Sequence, residues 1–188
     1  MIGRAQGEVN EPPLLRLHYR LAFLYNPPGR SPFFSKGETM GLIDFVRDAG
    51  EKLFAKEEKV DQERSAKLEN YVHKMQLQIT NLKIDVAGEV ATVSGKVQSQ
   101  QEKEKVVLAV GNTAGIARVD DRIQVEKKVK EPLATYYTVV KGDTLSKIAK
   151  TRYGDAKKYP VIFEANRPML KSPDLIYPGQ VLRIPPQV

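Results

Sequence analysis

The residues of this chain that could carry out chemistry are few and widely separated. Cysteine is absent, and the two histidines are His18 and His73. A lone imidazole with no thiolate or second imidazole near it argues against a metal site or a catalytic dyad at His73. Asp120 and Asp121 could bind a divalent cation together, but neighbouring side chains of a strand point to opposite faces. Because the sequence also lacks hydrolase, P-loop, dinucleotide and HExxH motifs, we predict that the protein is not an enzyme.

A second candidate for binding is the loop Gly111–Ile116, which has the sequence GNTAGI and follows a predicted helix. The last four carbonyl oxygens of a helix lack intrahelical partners and carry the negative end of the helix dipole. They could therefore attract a cation. The spacing alone favours a simpler interpretation, in which the loop caps the helix and connects it to the next strand.

A third candidate is the turn within YTVVKGDTLSKIAK, residues 137–150. Apolar residues alternate up to Val140 and recur at helical spacing from Leu145, so the turn joins a strand to a helix. Gly142 permits a turn conformation that a Cβ atom would resist, and Asp143 or Thr144 can cap the helix. The turn therefore has a sufficient structural reason without any ligand.

Composition and charge limit the class of protein. The chain has 188 residues, 41% of them hydrophobic, which is enough for two small domains with their own cores. The net charge is +7, but basic and acidic residues are interleaved, which favours solvated faces over a nucleic-acid-binding surface. The most apolar run, Leu21–Tyr25, is too short to span a bilayer, and Arg4, Arg16 and Arg20 interrupt any secretory signal. We expect a cytoplasmic monomer.

Residues 1–39 differ from the rest of the chain. They are rich in proline and show no sustained apolar period, so no packed element is predicted there. A regular pattern begins at Met40. We hypothesise that residues 1–39 are a disordered or non-native extension and that the true start codon encodes Met40. The intact mass of the protein from its own source tests this hypothesis.

The chain from Met40 onwards begins with two predicted helices. The first is predicted from apolar residues at helical spacing, which are Leu42, Phe45, Val46, Ala49 and Leu53. Residues 55–67 are dense in charge and predict a solvated turn or a frayed helix. The second helix follows and contains Leu68 and Val72.

The middle of the chain predicts a hairpin, a helix and a strand. Apolar residues alternate on both sides of Gly88, which indicates a hairpin that turns there. Ser99 and Glu102 have the spacing of a capping box, so a helix follows, and Gly111 and Asn112 end it. A strand then continues to Val125.

Two stretches of the chain resemble known domains. Through VATVSGKV and AVGNTAGIARVDD, the segment from Leu68 to Val125 resembles a BON domain. Through YTVVKGDTLSKIAKTRYG, IFEANRPML and IYPGQVLRIP, residues 136–188 resemble a LysM domain. A charged linker, residues 126–135, separates them. These resemblances imply an α+β protein in which a helix and a BON domain, residues 40–125, precede a βααβ LysM domain.

The LysM resemblance implies a carbohydrate site. LysM domains are binding modules that recognise N-acetylglucosamine in peptidoglycan or chitin. Backbone groups would hold the acetamido group, and Leu145 and Ile176 would add apolar contact. By position, the groove residues would be Gly142, Asp143, Thr144, Leu145, Pro173, Asp174, Leu175 and Ile176. A peptidoglycan-binding adaptor of the cell envelope is therefore the alternative function.

The whole of Met40–Val188 resembles the small bacterial cytoplasmic potassium-binding proteins of the LysM/BON family. The resemblance implies K⁺ binding, a change in the arrangement of the two domains, and a role as an ion sensor in the stress response. A cage of neutral carbonyl oxygens suits K⁺, as it does in channel filters. The implied ligands are the main-chain carbonyl oxygens of Val46, Ala49, Gly111, Thr113 and Ile116.

Overall fold

The computed structural model of the protein describes residues 42–53, 61–127 and 133–186. The hypothesis about residues 1–39 and a start at Met40 lies outside these residues, and so does the middle of the predicted linker, residues 128–132. The described residues contain helices and two separate β-sheets, so the predicted α+β class is confirmed. No helix among them is long and apolar enough to cross a membrane.

Four strands form the sheet of the N-terminal domain, which comprises the described residues up to 127. The strands are β1, Leu42–Asp44; β2, Ile79–Ala87; β3, Val90–Val97; and β4, Arg118–Val125. Their order in the sheet is β1-β4-β3-β2. The predicted hairpin is confirmed, because β2 and β3 pair antiparallel on either side of Gly88. Strand β4 runs parallel to β3, and β1 pairs antiparallel with the outer edge of β4.

Two helices pack on this sheet, α1 over Asp61–Lys74 and α2 over Gln100–Gly111. The predicted capping box of α2 is confirmed: the Ser99 side chain accepts a hydrogen bond from the backbone N–H of Glu102, whose carboxylate accepts one from the backbone N–H of Ser99. The helices and strands share one core, formed by Leu68, Val72, Ile84, Val86, Ala91, Val93, Val97, Val106, Val107, Val110, Ile116, Val119 and Ile123.

The predicted helix over residues 42–53 is wrong. Leu42–Asp44 is a strand, and the residues after it form turns. Several backbone groups of this segment bond to residues that are distant in the sequence, as when the N–H of Phe45 donates to the carbonyl oxygen of Ala117 at 2.8 Å. Gly50 has φ +124°, which no helix accommodates. The sequence does contain a helical spacing of apolar residues here, but pairing with the open edge of β4 prevails over it.

The C-terminal domain, residues 133–186, has the predicted order of strand, two helices and strand. Strands β5, Thr135–Thr138, and β6, Val181–Ile184, pair antiparallel. Helix α3, Leu145–Tyr153, leads through the 3₁₀ turn Ala156–Lys158 to helix α4, Tyr159–Ala165. All four main elements contribute to or contact the core, which contains Val139, Leu145, Ile148, Ala149, Ile162, Leu170, Leu182 and Ile184.

The predicted turn before α3 is confirmed in detail. Gly142 has φ +89°, which glycine adopts without the penalty that a Cβ atom brings. The Asp143 carboxylate accepts hydrogen bonds from the Tyr137 hydroxyl at 2.7 Å and from the backbone N–H of Val140 at 2.9 Å. The Thr144 hydroxyl oxygen caps the helix by accepting from the backbone N–H of Lys147.

Direct contacts join the two domains. Leu108 of α2 forms a buried cluster with Tyr136 and Val181, and Phe45 and Met169 pack against it. A buried ion pair crosses the same contact, with 2.6 Å between Arg183 Nε and Glu104 Oε2. The described parts of both domains belong to one compact unit.

Candidate functional site

The turn 46–51 lies against the loop Gly111–Ile116 of the same domain. Three backbone hydrogen bonds connect them: Glu51 N–H donates to the Asn112 carbonyl at 2.9 Å, Ala114 N–H to the Glu51 carbonyl at 3.0 Å, and Gly115 N–H to the Arg47 carbonyl at 2.7 Å. The structure thus brings together the two segments whose carbonyl oxygens the sequence resemblance implies as cation ligands.

Glycines allow this close approach. A Cβ atom on Gly50 would lie 1.9 Å from the Asn112 carbonyl oxygen, and one on Gly111 would lie 2.1 Å from the ring of Phe45. Both distances are far below any van der Waals contact. Each glycine is therefore required by a neighbour that is remote in the sequence.

The carbonyl oxygens of the two segments differ in their hydrogen bonding. The Val46 oxygen accepts from the N–H of Ala49 at 3.0 Å, and the Thr113 oxygen accepts from the N–H of Ile116 at 3.1 Å. No donor among the described residues bonds the carbonyl oxygens of Ala49, Gly111 and Ile116. Since each carbonyl oxygen has two lone pairs, all five can still accept a further partner. This set is neutral and contains only oxygen.

Arg64 is a residue at this loop that the sequence predictions missed. It is 9% exposed, and its guanidinium donates to the carbonyl oxygens of Gly88 and Gly115. The prediction of a solvated turn or frayed helix is wrong for this part of the chain, because α1 already begins at Asp61. A signal was present: Arg64 lies four residues before Leu68 and eight before Val72, on the buried face of the helix.

Asn112 is the second residue that was missed, because its sequence context indicated only a helix cap. Its side chain is buried and exchanges two hydrogen bonds with the backbone of Val181, one as donor at 2.9 Å and one as acceptor at 2.8 Å. The Tyr177 hydroxyl approaches the Asn112 carbonyl oxygen at 3.4 Å. A Cβ atom on Gly179 would lie 2.5 Å from that of Ala49. Both segments of the candidate site therefore contact the C-terminal domain.

Comparison with known proteins agrees with this architecture. The BON domain model matches residues 60–127, and the LysM domain model matches residues 137–185. The chain is 50% identical over 151 residues to the Potassium binding protein Kbp of Escherichia coli O6:H1, covering 78% of this chain and 99% of that protein. The chain belongs to the Kbp family.

Two further relatives match smaller parts of this Kbp-family chain. An uncharacterized protein of Deinococcus radiodurans is 36% identical over 119 residues, which are 57% of this chain and 46% of the relative. Esterase Rv1288 of Mycobacterium tuberculosis is 43% identical over 75 residues, which are 40% of this chain and 16% of the esterase. The relative that the chain covers almost completely is thus named for binding, not for catalysis.

Carboxylate and histidine side chains do not form a metal site in the part of this Kbp-family chain that the structure describes. No group of three or more His, Cys, Asp and Glu residues there could hold a metal ion. Asp120 and Asp121 lie on opposite faces of β4, as predicted. Asp120 pairs with Arg122 at 2.8 Å, whereas the fully buried Asp121 side chain pairs with Lys103 at 2.9 Å.

The residues expected to line a carbohydrate groove have mixed exposure. The Leu145 side chain, which we predicted to contact a sugar, is 2% exposed and belongs to the core. Leu175 is 61% exposed, and Ile176 packs against the same core. Asp174, Leu175 and Ile176 line a cavity that they share with the N-terminal domain, whereas none of the described residues lining it comes from 142–145.

Proposed function

We propose that this chain binds K⁺ through main-chain carbonyl oxygens of the turn 46–51 and the loop Gly111–Ile116. The observation that carries the proposal is the set of three backbone hydrogen bonds that hold these segments together. The proposed ligands are the carbonyl oxygens of Val46, Ala49, Gly111, Thr113 and Ile116. The relation to a protein named for potassium binding supports the choice of ion.

The chemistry of the donor set fits a large monovalent cation. Carbonyl dipoles can replace the weakly held water of K⁺, whereas Ca²⁺ and Mg²⁺ prefer carboxylate oxygens. Loop Gly111–Ile116 follows the C-terminal end of α2, where the helix dipole is negative. At least one further oxygen would complete the coordination of the ion.

We also propose that K⁺ binding changes the arrangement of the two domains. Asn112 and Ala49 belong to the candidate site and also contact the C-terminal domain through Val181 and Gly179. An ion that orders these segments would therefore alter the same contacts. In this proposal the protein is an intracellular ion sensor without enzymatic activity.

A peptidoglycan-binding adaptor is the second candidate function. It is favoured by the LysM match over residues 137–185. With the Leu145 side chain buried, N-acetylglucosamine would be held mainly by backbone groups of Gly142, Asp143 and Thr144 and by the segment 174–176. Retention on purified peptidoglycan, measured beside K⁺ binding, distinguishes the two functions.

Calorimetric titration of the full chain with KCl and with NaCl, in buffer free of both ions, tests the first proposal. We expect saturable heat with K⁺ and none with Na⁺. Gly115→Pro should abolish the K⁺ signal, because Gly115 has φ +94° and its N–H donates to the Arg47 carbonyl. Deletion of residues 40–50 should do the same. Unchanged affinity in either variant would contradict the site.

Thr113→Ala is the matched control for a site built from main-chain atoms. The Thr113 hydroxyl donates to the Ala109 carbonyl at 3.2 Å, so the substitution should cost about 1 kcal/mol of folding free energy. It leaves the carbonyl oxygen of residue 113 in place. K⁺ affinity should therefore stay close to that of the wild-type chain once the variant is folded.

A further inference from the structure

A cavity of about 400 Å³ lies between the two domains. Its volume is within the range of small-molecule sites, which are typically about 300–1,000 Å³. One wall belongs to the N-terminal domain and the other to the loop that precedes β6. The residues that line it include Glu51, Tyr71, Lys171, Asp174, Leu175 and Tyr177. The cavity adjoins the candidate K⁺ site, since Asn112 also lines it.

Four polar side chains of this cavity have no partner among the described residues. The Glu51 and Asp174 carboxylates, the Lys171 ammonium and the Tyr71 hydroxyl make no hydrogen bond or ion pair there. Tyr71 is half-buried, so its side chain is only partly exposed to solvent. Charges of both signs are thus available to a ligand in one open cavity, on the exposed side chains of Glu51, Lys171 and Asp174.

The part of the cavity around Glu51 is suited to a cation, with Tyr71 on the same wall and Tyr177 on the opposite one. Glu51, Tyr71 and Tyr177 line the same cavity. Burial raises the pKa of both Tyr71 and Tyr177, and the Glu51 carboxylate raises it further. Both phenols therefore remain neutral at pH 7. Aromatic side chains beside a carboxylate favour an organic ammonium ion, which gains both charge attraction and contact with aromatic rings. Lys171 offers the complementary charge for an anionic group.

We propose that this cavity binds a small zwitterion, with its ammonium group beside Glu51, Tyr71 and Tyr177 and its carboxylate beside Lys171. A neutral sugar would leave these charges unused. The site is separate from the proposed K⁺ ligands, because it uses side chains where the cation site uses main-chain oxygens. The two proposals can therefore fail independently.

The test uses the full chain at a constant KCl concentration and four probes. Trimethylglycine is the zwitterion, and tetramethylammonium chloride has the same cationic group without the carboxylate. The neutral probes are tert-butanol, which has a similar shape, and N-acetylglucosamine, which is the sugar that LysM domains recognise. Calorimetry gives the affinities, and NMR signals of the tyrosine rings show where each probe binds. The chain has eight tyrosines and no tryptophan, so these signals can be assigned individually. We expect saturable binding of trimethylglycine, weaker binding of tetramethylammonium, and shifts at Tyr71 and Tyr177.

Three variants locate the ligand. Glu51→Gln should weaken the binding of trimethylglycine and tetramethylammonium by about tenfold, because it removes the counter-charge of the ammonium group. Lys171→Gln should weaken trimethylglycine more than tetramethylammonium, and its K⁺ affinity should be that of the wild type. Glu164→Gln, which removes an exposed carboxylate of α4 outside the cavity, should change neither affinity.

Several outcomes would overturn the proposal. They are the absence of saturable binding by trimethylglycine, equal binding by tert-butanol, and unchanged affinity in a folded Glu51→Gln variant. Binding of N-acetylglucosamine with shifts at Tyr71 and Tyr177, in place of trimethylglycine, would assign the cavity to a neutral sugar instead. A chain that binds K⁺ but none of the charged probes would leave the proposed function standing and refute this one.

Discussion

The loop Gly111–Ile116 and the turn 140–144 both connect a helix with a strand, but they are held in different ways. In the turn, Asp143 and Thr144 bond to residues at most six positions away. The loop also has local bonds, but in addition it bonds to the segment 47–51 and to β6, which are remote from it in the sequence on either side. The turn is a local structure, whereas the loop depends on the assembled fold.

This difference explains where a regulated binding site can arise. A locally satisfied turn keeps its shape whatever the rest of the chain does. A loop whose polar groups bond to distant segments changes when those segments move, so ligand binding there is coupled to the arrangement of the fold. Substitutions at matched positions in the two kinds of region test the distinction.

The largest expected effect is that of Gly50→Ala compared with Gly142→Ala. Both glycines have positive φ, but a Cβ atom at residue 50 would overlap the Asn112 carbonyl oxygen, whereas none of the described atoms lies within 4 Å of one at residue 142. We expect Gly50→Ala to cost about 4 kcal/mol and to abolish K⁺ binding, and Gly142→Ala to cost about 1 kcal/mol. Chemical denaturation and calorimetry measure both. Similar losses in the two variants would remove the distinction.

A smaller effect is expected for the ion pairs. Glu104 pairs with Arg183 across the domain contact, where their side chains are 2% and 8% exposed, whereas Glu164 pairs with Arg167 at the surface, 3.6 Å away. Glu104→Gln leaves a buried guanidinium without its counter-charge and should cost about 3 kcal/mol. Glu164→Gln should cost less than about 0.5 kcal/mol. Urea denaturation of both variants gives the comparison, and similar costs for the two would show that the domain contact does not depend on the buried pair.

The next smaller loss of folding free energy, about 2 kcal/mol, is expected for Asn112→Ala. This substitution leaves the buried N–H and carbonyl of Val181 without their side-chain partners. Asp143→Ala removes the two hydrogen bonds that the half-buried Asp143 carboxylate accepts in the local turn and should cost about 1 kcal/mol. Hydrogen exchange of the backbone amides distinguishes the two variants further. Loss of protection should reach both domains in Asn112→Ala and stay near residues 137–145 in Asp143→Ala; the reverse pattern would be inconsistent with the proposed coupling.

The smallest effect concerns alkaline pH. Burial raises the pKa of Tyr177 to about 12, with a further contribution from Glu51. The folded chain therefore keeps a proton that the unfolded chain releases, so this stabilisation is complete below pH 10 and is lost as the pH rises towards about 12. Tyr177→Phe should flatten the fall in unfolding free energy over this range. Tyr159→Phe, on an exposed side chain, is the control and should leave the slope unchanged.

The sequence predicted the elements whose signals are local. The capping box at Ser99, the turn at Gly142 and the hairpin at Gly88 each depend on residues a few positions apart, and all three are present. The order of both domains followed from these elements. In each of them, the groups that form hydrogen bonds with the backbone belong to residues nearby in the sequence.

The errors have the opposite origin. Residues 42–53 carry a helical spacing but form a strand and turns, because their partners are β4 and the loop Gly111–Ile116. The role of Asn112 depends on Val181, 69 positions away, and nothing near it in the sequence indicates that partner.

The pairing of β1 with β4 has a consequence for the order in which the chain is made and assembled. Leu42–Asp44 is synthesised before both helices and the other strands of its domain, whereas its partners at 118–120 lie in the last of those strands. Closing so long a loop is entropically costly. Strands β5 and β6, by contrast, enclose only the helices of their own small domain. We expect β1 to remain unpaired on the ribosome until β4 has emerged and joined β3. The segment that completes the proposed cation site is thus translated first and positioned last.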